Sequence, residues 1–216
     1  MSPSQANQAY SYRMPLPARD RELIQIMDAS WSDAALRAGQ HLVCGPGCTQ
    51  CCHGPFRINA LDVARLRAGM QQLRGSDPAL AAEIERRARG WIDTYAAGFP
   101  GDPMSGVISD SEEACERFED LADDAPCPAL DPGTGRCQVY EWRPMTCRVF
   151  GPPVRQESGA LGCCELCFTS ASNEEIARCE MRVPHDLESE LVDELGGKSE
   201  TFVAYTLVRP ATHASR

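Results

Sequence analysis

Apolar residues recur at helical spacing along most of the chain, and the stretches between them are rich in Gly, Pro and Cys. Residues 20 to 40 set Leu23, Ile24, Met27 and Trp31 along one side of a helix. Asn59 is a good N-cap, with Asp62 in the first turn and Val63, Leu66, Met70 and Leu73 at helical spacing, so a second helix ends near Arg74 and Gly75. Asp77-Pro78 starts a longer one, whose stripe is Leu80, Ile84, Trp91 and Tyr95 and which Gly98 ends. The pair is expected to form a hairpin, with Trp91 and Tyr95 as core. Ser109 and Glu112 resemble a capping box opening a short helix with Cys115, Phe118 and Leu121 and an acidic, solvated outer face. That acidic run lacks the Gly and the alternating ligands of a calcium loop.

The second half is more broken. Asp131-Pro132-Gly133-Thr134-Gly135 is a turn that folds a short hairpin, and Glu141 to Arg148 gives one helical turn with Cys147 near its end. A helix starts near Ser172-Asn173-Glu174 and carries Ile176 and Cys179; another runs from about Asp186 to Leu195, where Gly196-Gly197 stop it. Thr201 to Val208 reads as a strand or a buried extended segment. The fold class expected is mainly α with irregular cysteine-rich loops and a few short strands: a small, metal-stapled single domain. Its parts are a flexible arm over 1–19, one domain over 20–208 with its motif region at 41–170, and a polar tail over 209–216.

Composition narrows the function classes. With 216 residues and 43% apolar content the chain can bury a core of its own, while 17 Gly, 16 Pro and 6% aromatics call for much loop. The net charge of −10 argues against nucleic-acid or anionic-membrane partners, which need a clustered cationic face. The first twenty residues hold no apolar run of signal-peptide type, and no segment approaches the length of a membrane span, so a cytoplasmic location is expected. In a reducing compartment the 12 cysteines are thiols or thiolates awaiting a metal.

Ten of them fall in three clusters: Cys44, Cys48, Cys51 and Cys52; Cys127, Cys137 and Cys147; Cys163, Cys164 and Cys167. Spacings of two or three residues on a turning backbone serve zinc and iron-sulfur sites alike, and two four-ligand centres would use eight of the ten. Neighbours such as Cys51 and Cys52 are expected to diverge, so the first cluster cannot hold an ion by itself. Cys127 and Cys147 should complete a centre begun there, sharing it with Cys48. Cys115 and Cys179 stand alone, as small buried hydrophobes. His53 is a weaker candidate ligand, a loop-end histidine being more often solvent-facing. Arg143 and Arg148 flank Cys147 and can offset the negative charge of thiolate-bound metal. Tyr140 and Trp142 are expected to close over the site. The C-x3-C-x2-C spacing of Cys44, Cys48 and Cys51 also occurs in radical S-adenosylmethionine enzymes, but the barrel pattern of alternating strands and helices is missing here.

Four motifs in order, C-x3-C-x2-CC at 44 to 52, Cys-Pro-Ala-Leu at 127 to 130, Gly-Arg-Cys-Gln-Val-Tyr-Glu at 135 to 141 and Arg-Pro-x-x-Cys-Arg at 143 to 148, resemble the CxxCxxCC proteins. These YkgJ-type cysteine-cluster proteins are described as zinc- or iron-chelating domains or iron-sulfur-cluster-containing proteins. The resemblance implies Cys44, Cys48, Cys51, Cys52, Cys127, Cys137 and Cys147 as ligands, with Cys163, Cys164 and Cys167 matching more loosely. Three residues, where the family has two, separate Cys44 from Cys48.

The function expected is that of a cysteine-ligated metal-binding protein. The leading reading is an iron-sulfur cluster, of the 4Fe-4S type, or another polynuclear iron site, in redox chemistry or in the maturation of another protein whose identity the sequence does not give. The alternative is zinc in structural sites of an interaction module. A thiol redox enzyme is a third reading, disfavoured because vicinal cysteines make strained disulfides.

Overall fold

The computed structural model describes residues 15–119, 121–156, 158–197 and 199–208, and within 112–119 the side chains of Cys115, Glu116, Phe118 and Glu119 are not among the described ones. The expected arm over 1–19 therefore lies largely outside the described residues, and the tail over 209–216 wholly so.

Helix α1 spans Asp20–Ala38 and buries Leu23, Met27 and Ala34, with Ile24 and Trp31 half-buried beside them. Helix α2, Ala60–Ser76, starts where Asn59 accepts hydrogen bonds from the backbone N–H groups of Leu61 and Asp62, at 3.0 and 3.1 Å. Asp77 then caps α3, Pro78–Tyr95, by accepting from Leu80 N at 3.0 Å. α2 and α3 pack as the expected hairpin, joined by the Arg74–Glu85 ion pair at 2.7 Å. Between them lies the main core: Ile58, Leu66, Met70, Ile84, Ala88, Val139, Val203 and Leu207.

The remaining elements are short. They are β1 (Arg57–Ile58), β2 (Gly101–Asp102), β3 (Val107–Ile108), α4 (Glu112–Glu119), α5 (Met145–Arg148), β4 (Val154–Arg155), β5 (Leu161–Gly162), α6 (Asn173–Arg178), α7 (His185–Glu194), β6 (Thr201–Phe202) and α8 (Val203–Leu207). The strands pair antiparallel in three two-stranded ribbons, β1 with β6, β2 with β3 and β4 with β5. Trp91 and Tyr95 do lie in a core, an aromatic cluster with Phe99 and Phe202.

Two expectations are corrected. Thr201–Val208 is extended for two residues only and then turns into α8, which lies against both α2 and α3. A short apolar run buried on nearly every side carries no periodicity that separates strand from helix, and packing decided it. The cap of α4 is Ser111, whose Oγ accepts from Ala114 N at 3.3 Å, and Leu121 lies beyond the helix end. Trp142 packs on α2 at Gly69, where an added Cβ would come within 2.3 Å of its ring, and it shares the main core with Cys127 and Cys137. Tyr140 is 56% exposed and carries the Arg143 guanidinium 3.8 Å above its ring.

A buried polar network ties the start of α1 to the cysteine-bearing turn. Arg65 donates to Asp20 at 2.6 Å and to Asp62 at 2.8 Å, and Asp62 also accepts from Met145 N at 2.9 Å, orienting the first turn of α5 and so Cys147. Burial outweighs Arg65 and the N–H donor, pushing the Asp62 carboxyl up to about 6. The ionised pair thus costs stability on its own account, yet breaking it strands a buried guanidinium. Asp62→Ala should lower unfolding stability by about 3 kcal/mol, since Asp20 still partners Arg65. Urea unfolding measures this; a loss below about 1 kcal/mol, the range of an exposed pair, would show that the network does not hold α5.

Candidate metal centres

The first cysteine loop leaves α1 through a 3-10 turn at Gly39–His41 and closes through another at Gln50–Cys52. That second turn carries the vicinal pair Cys51 and Cys52, and Cys52 raises the Cys51 thiol. The strand-like stretch after it pairs with the second cluster, Cys127 N donating to Cys52 O at 2.8 Å and Gly54 N to Ala125 O at 2.9 Å. Beyond it the chain folds back as expected: Leu130 and Cys137 bridge, and Gly135 N donates to Asp131 O at 2.9 Å.

The thiols sort into two groups. In the inner one, burial raises Cys147 well above its ordinary range, and Cys127, Cys137 and Cys51 raise it further by their charge. Cys137 in turn feels Cys51, and burial pushes the Cys127 thiol up to about 12, Cys137 adding to the rise. Cys51 is raised first by its neighbour Cys52 and then by burial. Cys127 and Cys137 pack against the main core between α2 and α3, so this group sits on the most ordered part of the fold.

The outer group gathers Cys44 and Cys48 with the third cluster. The sulfurs of Cys44, Cys164 and Cys167 all lie within 4.8 Å of one another, with Cys44 and Cys167 3.6 Å apart. Burial, the bond to Cys167 and the charges of Cys167, Cys164 and Cys48 together raise Cys44; Cys164 is raised by burial and by Cys167 and Cys48. Cys163 is the exposed thiol of the ten; burial, Cys167 and Cys164 raise it too. Among the described residues no other three Cys, His, Asp or Glu side chains converge as closely as the Cys44 trio.

Cys48 acts by its charge on Cys44 and Cys164, whereas Cys51 acts on Cys137 and Cys147, so the two ends of the first cluster have different neighbours. His53 is exposed, its ring Nδ1 3.0 Å from Thr49 O. Cys179 is buried beside Ala38, Cys167 and Phe168, as expected of a lone thiol; the side chain of Cys115 lies outside the described residues. Arg143 lowers the Cys137 thiol by its charge. Arg148 is buried and donates to Asp28 at 2.9 Å and to Glu141 O at 2.7 Å. Sequence reasoning missed Arg87, whose charge acts on Cys127 and whose Nε donates to Pro128 O at 2.9 Å. It lies on α3, a helix away from every cysteine motif, and no local signal marks it.

Helix α1 underlies the outer group. Trp31 Nε1 donates to Phe150 O at 3.1 Å, Phe168 N to His41 O at 2.8 Å, and Arg37 donates to Arg178 O and Glu180 O at the end of α6. Cys164 N donates to Gly151 O at 3.3 Å. Gly151 has φ +113°, and a Cβ there would meet the Cys44 sulfur at 3.2 Å. Cys44, Cys51, Cys127, Cys137, Cys147, Cys163 and Cys164 are all raised by burial and neighbouring thiols, and a metal ion, which takes thiolates and displaces their protons, would offset that cost.

A mainly helical frame holding two all-sulfur groups defines a cysteine-cluster domain of the metal-chelating class. The chain belongs to the CxxCxxCC family, "Putative zinc- or iron-chelating domain", whose profile matches residues 43–167. No curated protein and no solved structure matches it significantly. No helix among the described residues is long and apolar enough to cross a membrane.

Gly151→Ala should cost the outer group its metal, about one ion per chain, and spare the inner group. Gly159→Ala is the control: its φ of +84° imposes the same kind of strain with nothing within 4 Å of the new Cβ. Elemental analysis of both variants decides it, and full metal content in Gly151→Ala would separate Gly151 from metal binding.

Proposed function

We propose that the chain is an iron-sulfur protein with two centres of different kinds: a polynuclear iron cluster held by Cys51, Cys127, Cys137 and Cys147, and a single ion held by Cys44, Cys48, Cys164 and Cys167. The close convergence of the outer sulfurs, beside a second set of thiols that act on one another, carries this reading. A tetrahedral ion with metal–sulfur bonds of about 2.3 Å sets its sulfurs about 3.8 Å apart, which suits the 3.6 Å between Cys44 and Cys167. The inner thiols Cys51, Cys127, Cys137 and Cys147 act on one another by charge, and four thiolates are the ligand set of a four-iron cluster.

A bound cluster would supply one-electron redox chemistry. The residues around it set its terms: burial against the α2–α3 core keeps water away, and Arg87 and Arg143 offset the negative charge that four thiolates bring. Redox work on, or maturation of, a protein partner is the role proposed. The reading of zinc at both centres draws on the outer spacing, which suits zinc as well as a single iron.

Protein purified without oxygen should absorb broadly at about 400 nm and contain about four iron and four acid-labile sulfide per chain, with about one further ion. A colourless protein with two zinc ions, no iron and no sulfide would sink the iron reading and leave a structural zinc protein.

A further inference from the structure

The outer group contains one thiol more than a tetrahedral ion needs, and it is the accessible one. Cys163 is exposed, whereas Cys44, Cys48 and Cys164 are half-buried and Cys167 is buried. Cys163 is the chain neighbour of Cys164, whose sulfur lies within 4.8 Å of those of Cys44 and Cys167. It follows directly on β5, which is paired with β4, so its backbone is held at a defined place beside the trio. The loop that carries it is tied to the first cysteine loop as well, Gln50 Nε2 donating to Glu165 at 2.5 Å.

The inner group is built differently. Cys51, Cys52, Cys127, Cys137 and Cys147 include no exposed thiol, and two of them pack on the main core. Cys44, Cys164 and Cys167 lie in a small satellite cluster with Ala38, Leu42, Phe168, Ala171 and Ile176. The chain neighbours of Cys44 and Cys167, Val43 and Leu166, are 59% and 46% exposed and line an open cavity of about 310 Å3 with Gln40, His41 and Phe168. An exposed thiol is therefore built into the outer group and not into the inner one.

We infer that the outer ion is cargo, passed to and from acceptor thiols through Cys163, while the inner centre is retained. The inference rests on the two-centre reading above. The step is a ligand exchange with no change of oxidation state. Cys163 Sγ forms a bond to the ion as its proton leaves to solvent, the bond to Cys164 Sγ breaks, and the released thiolate takes up a proton. The ion then hangs on the exposed thiol, where an acceptor's thiolates displace the remaining cysteines in turn. Associative exchange of this kind is fast because the incoming ligand binds before the old one leaves, so a spare thiol beside a full ligand set sets the rate of release without setting the affinity.

The test uses the full chain, prepared without oxygen, loaded with Zn2+ at the outer centre and chased with the chromophoric chelator 4-(2-pyridylazo)resorcinol. The wild-type chain should give up about one zinc in a fast phase. Cys163→Ser and Cys163→Ala should bind the same amount of zinc and release it roughly tenfold more slowly. Iodoacetamide applied to the loaded protein should alkylate Cys163 before any other cysteine, with the same slowing of release. Wild-type release rates in both variants would overturn the inference, and so would loss of the outer zinc from them, which would make Cys163 a fixed ligand. Cys44→Ser separates the two levels of the argument: if it keeps its full zinc, the two-centre reading itself fails, whatever Cys163 does.

Discussion

Thiols held close together resist becoming thiolates, because each new negative charge raises the cost of the next and burial raises the cost of all. Around Cys147 and around Cys44 burial first, and then the neighbouring thiols, raise that cost. A cation between the sulfurs reverses its sign. On this account the loops over 39–56 and 121–171 are ordered by that reversal, since their turns close on sulfur where other domains close on Leu or Phe. Structural zinc contributes an apparent 10–16 kcal/mol, roughly, against a total stability of about 5–15 kcal/mol for a domain. A metal bound by these loops is therefore part of the fold.

The helical frame follows another logic. α2, α3 and α8 bury Leu66, Met70, Ile84 and Leu207 completely, and α1 buries Leu23 and Met27 against α7 and the start of α5. The two systems meet at a few joints: the Asp20–Arg65–Asp62 network that orients α5, Arg87 reaching from α3 to the Cys127 loop, and Trp31 and Arg37 of α1 gripping the segments that frame the outer thiols. Because Cys127 and Cys137 lean on the main core and Cys44, Cys164 and Cys167 on a satellite cluster, the inner group inherits rigidity that the outer one lacks. A retained centre and an exchangeable one on a single frame would be the result.

Much of the frame could be read in advance because independent signals agreed. Asn59 and Asp77 cap helices whose apolar residues recur at the right spacing, and both helices are found there. Thr201–Val208 failed because a buried run of five to eight residues has no polar face to betray its period. The cysteine clusters were visible from spacing alone, but their division was not. Cys48 and Cys51 are three positions apart yet act on different thiols, and the turn at Gln50–Cys52 and the distant pairings of Cys127 N to Cys52 O and Phe168 N to His41 O lie around them. Arg87 was hidden for the same reason: its nearness to Cys127 exists only once α3 is folded against the hairpin at 127–137.

The central claim is that ten clustered thiols form two separate centres, and anomalous diffraction from crystals of the metal-loaded protein, collected at the iron and zinc edges, tests it most directly. Two anomalous peaks are predicted, one among the sulfurs of Cys44, Cys48, Cys164 and Cys167 and the other among those of Cys51, Cys127, Cys137 and Cys147. A single peak drawing ligands from both groups, with Cys48 and Cys147 bound to the same metal, would contradict the account.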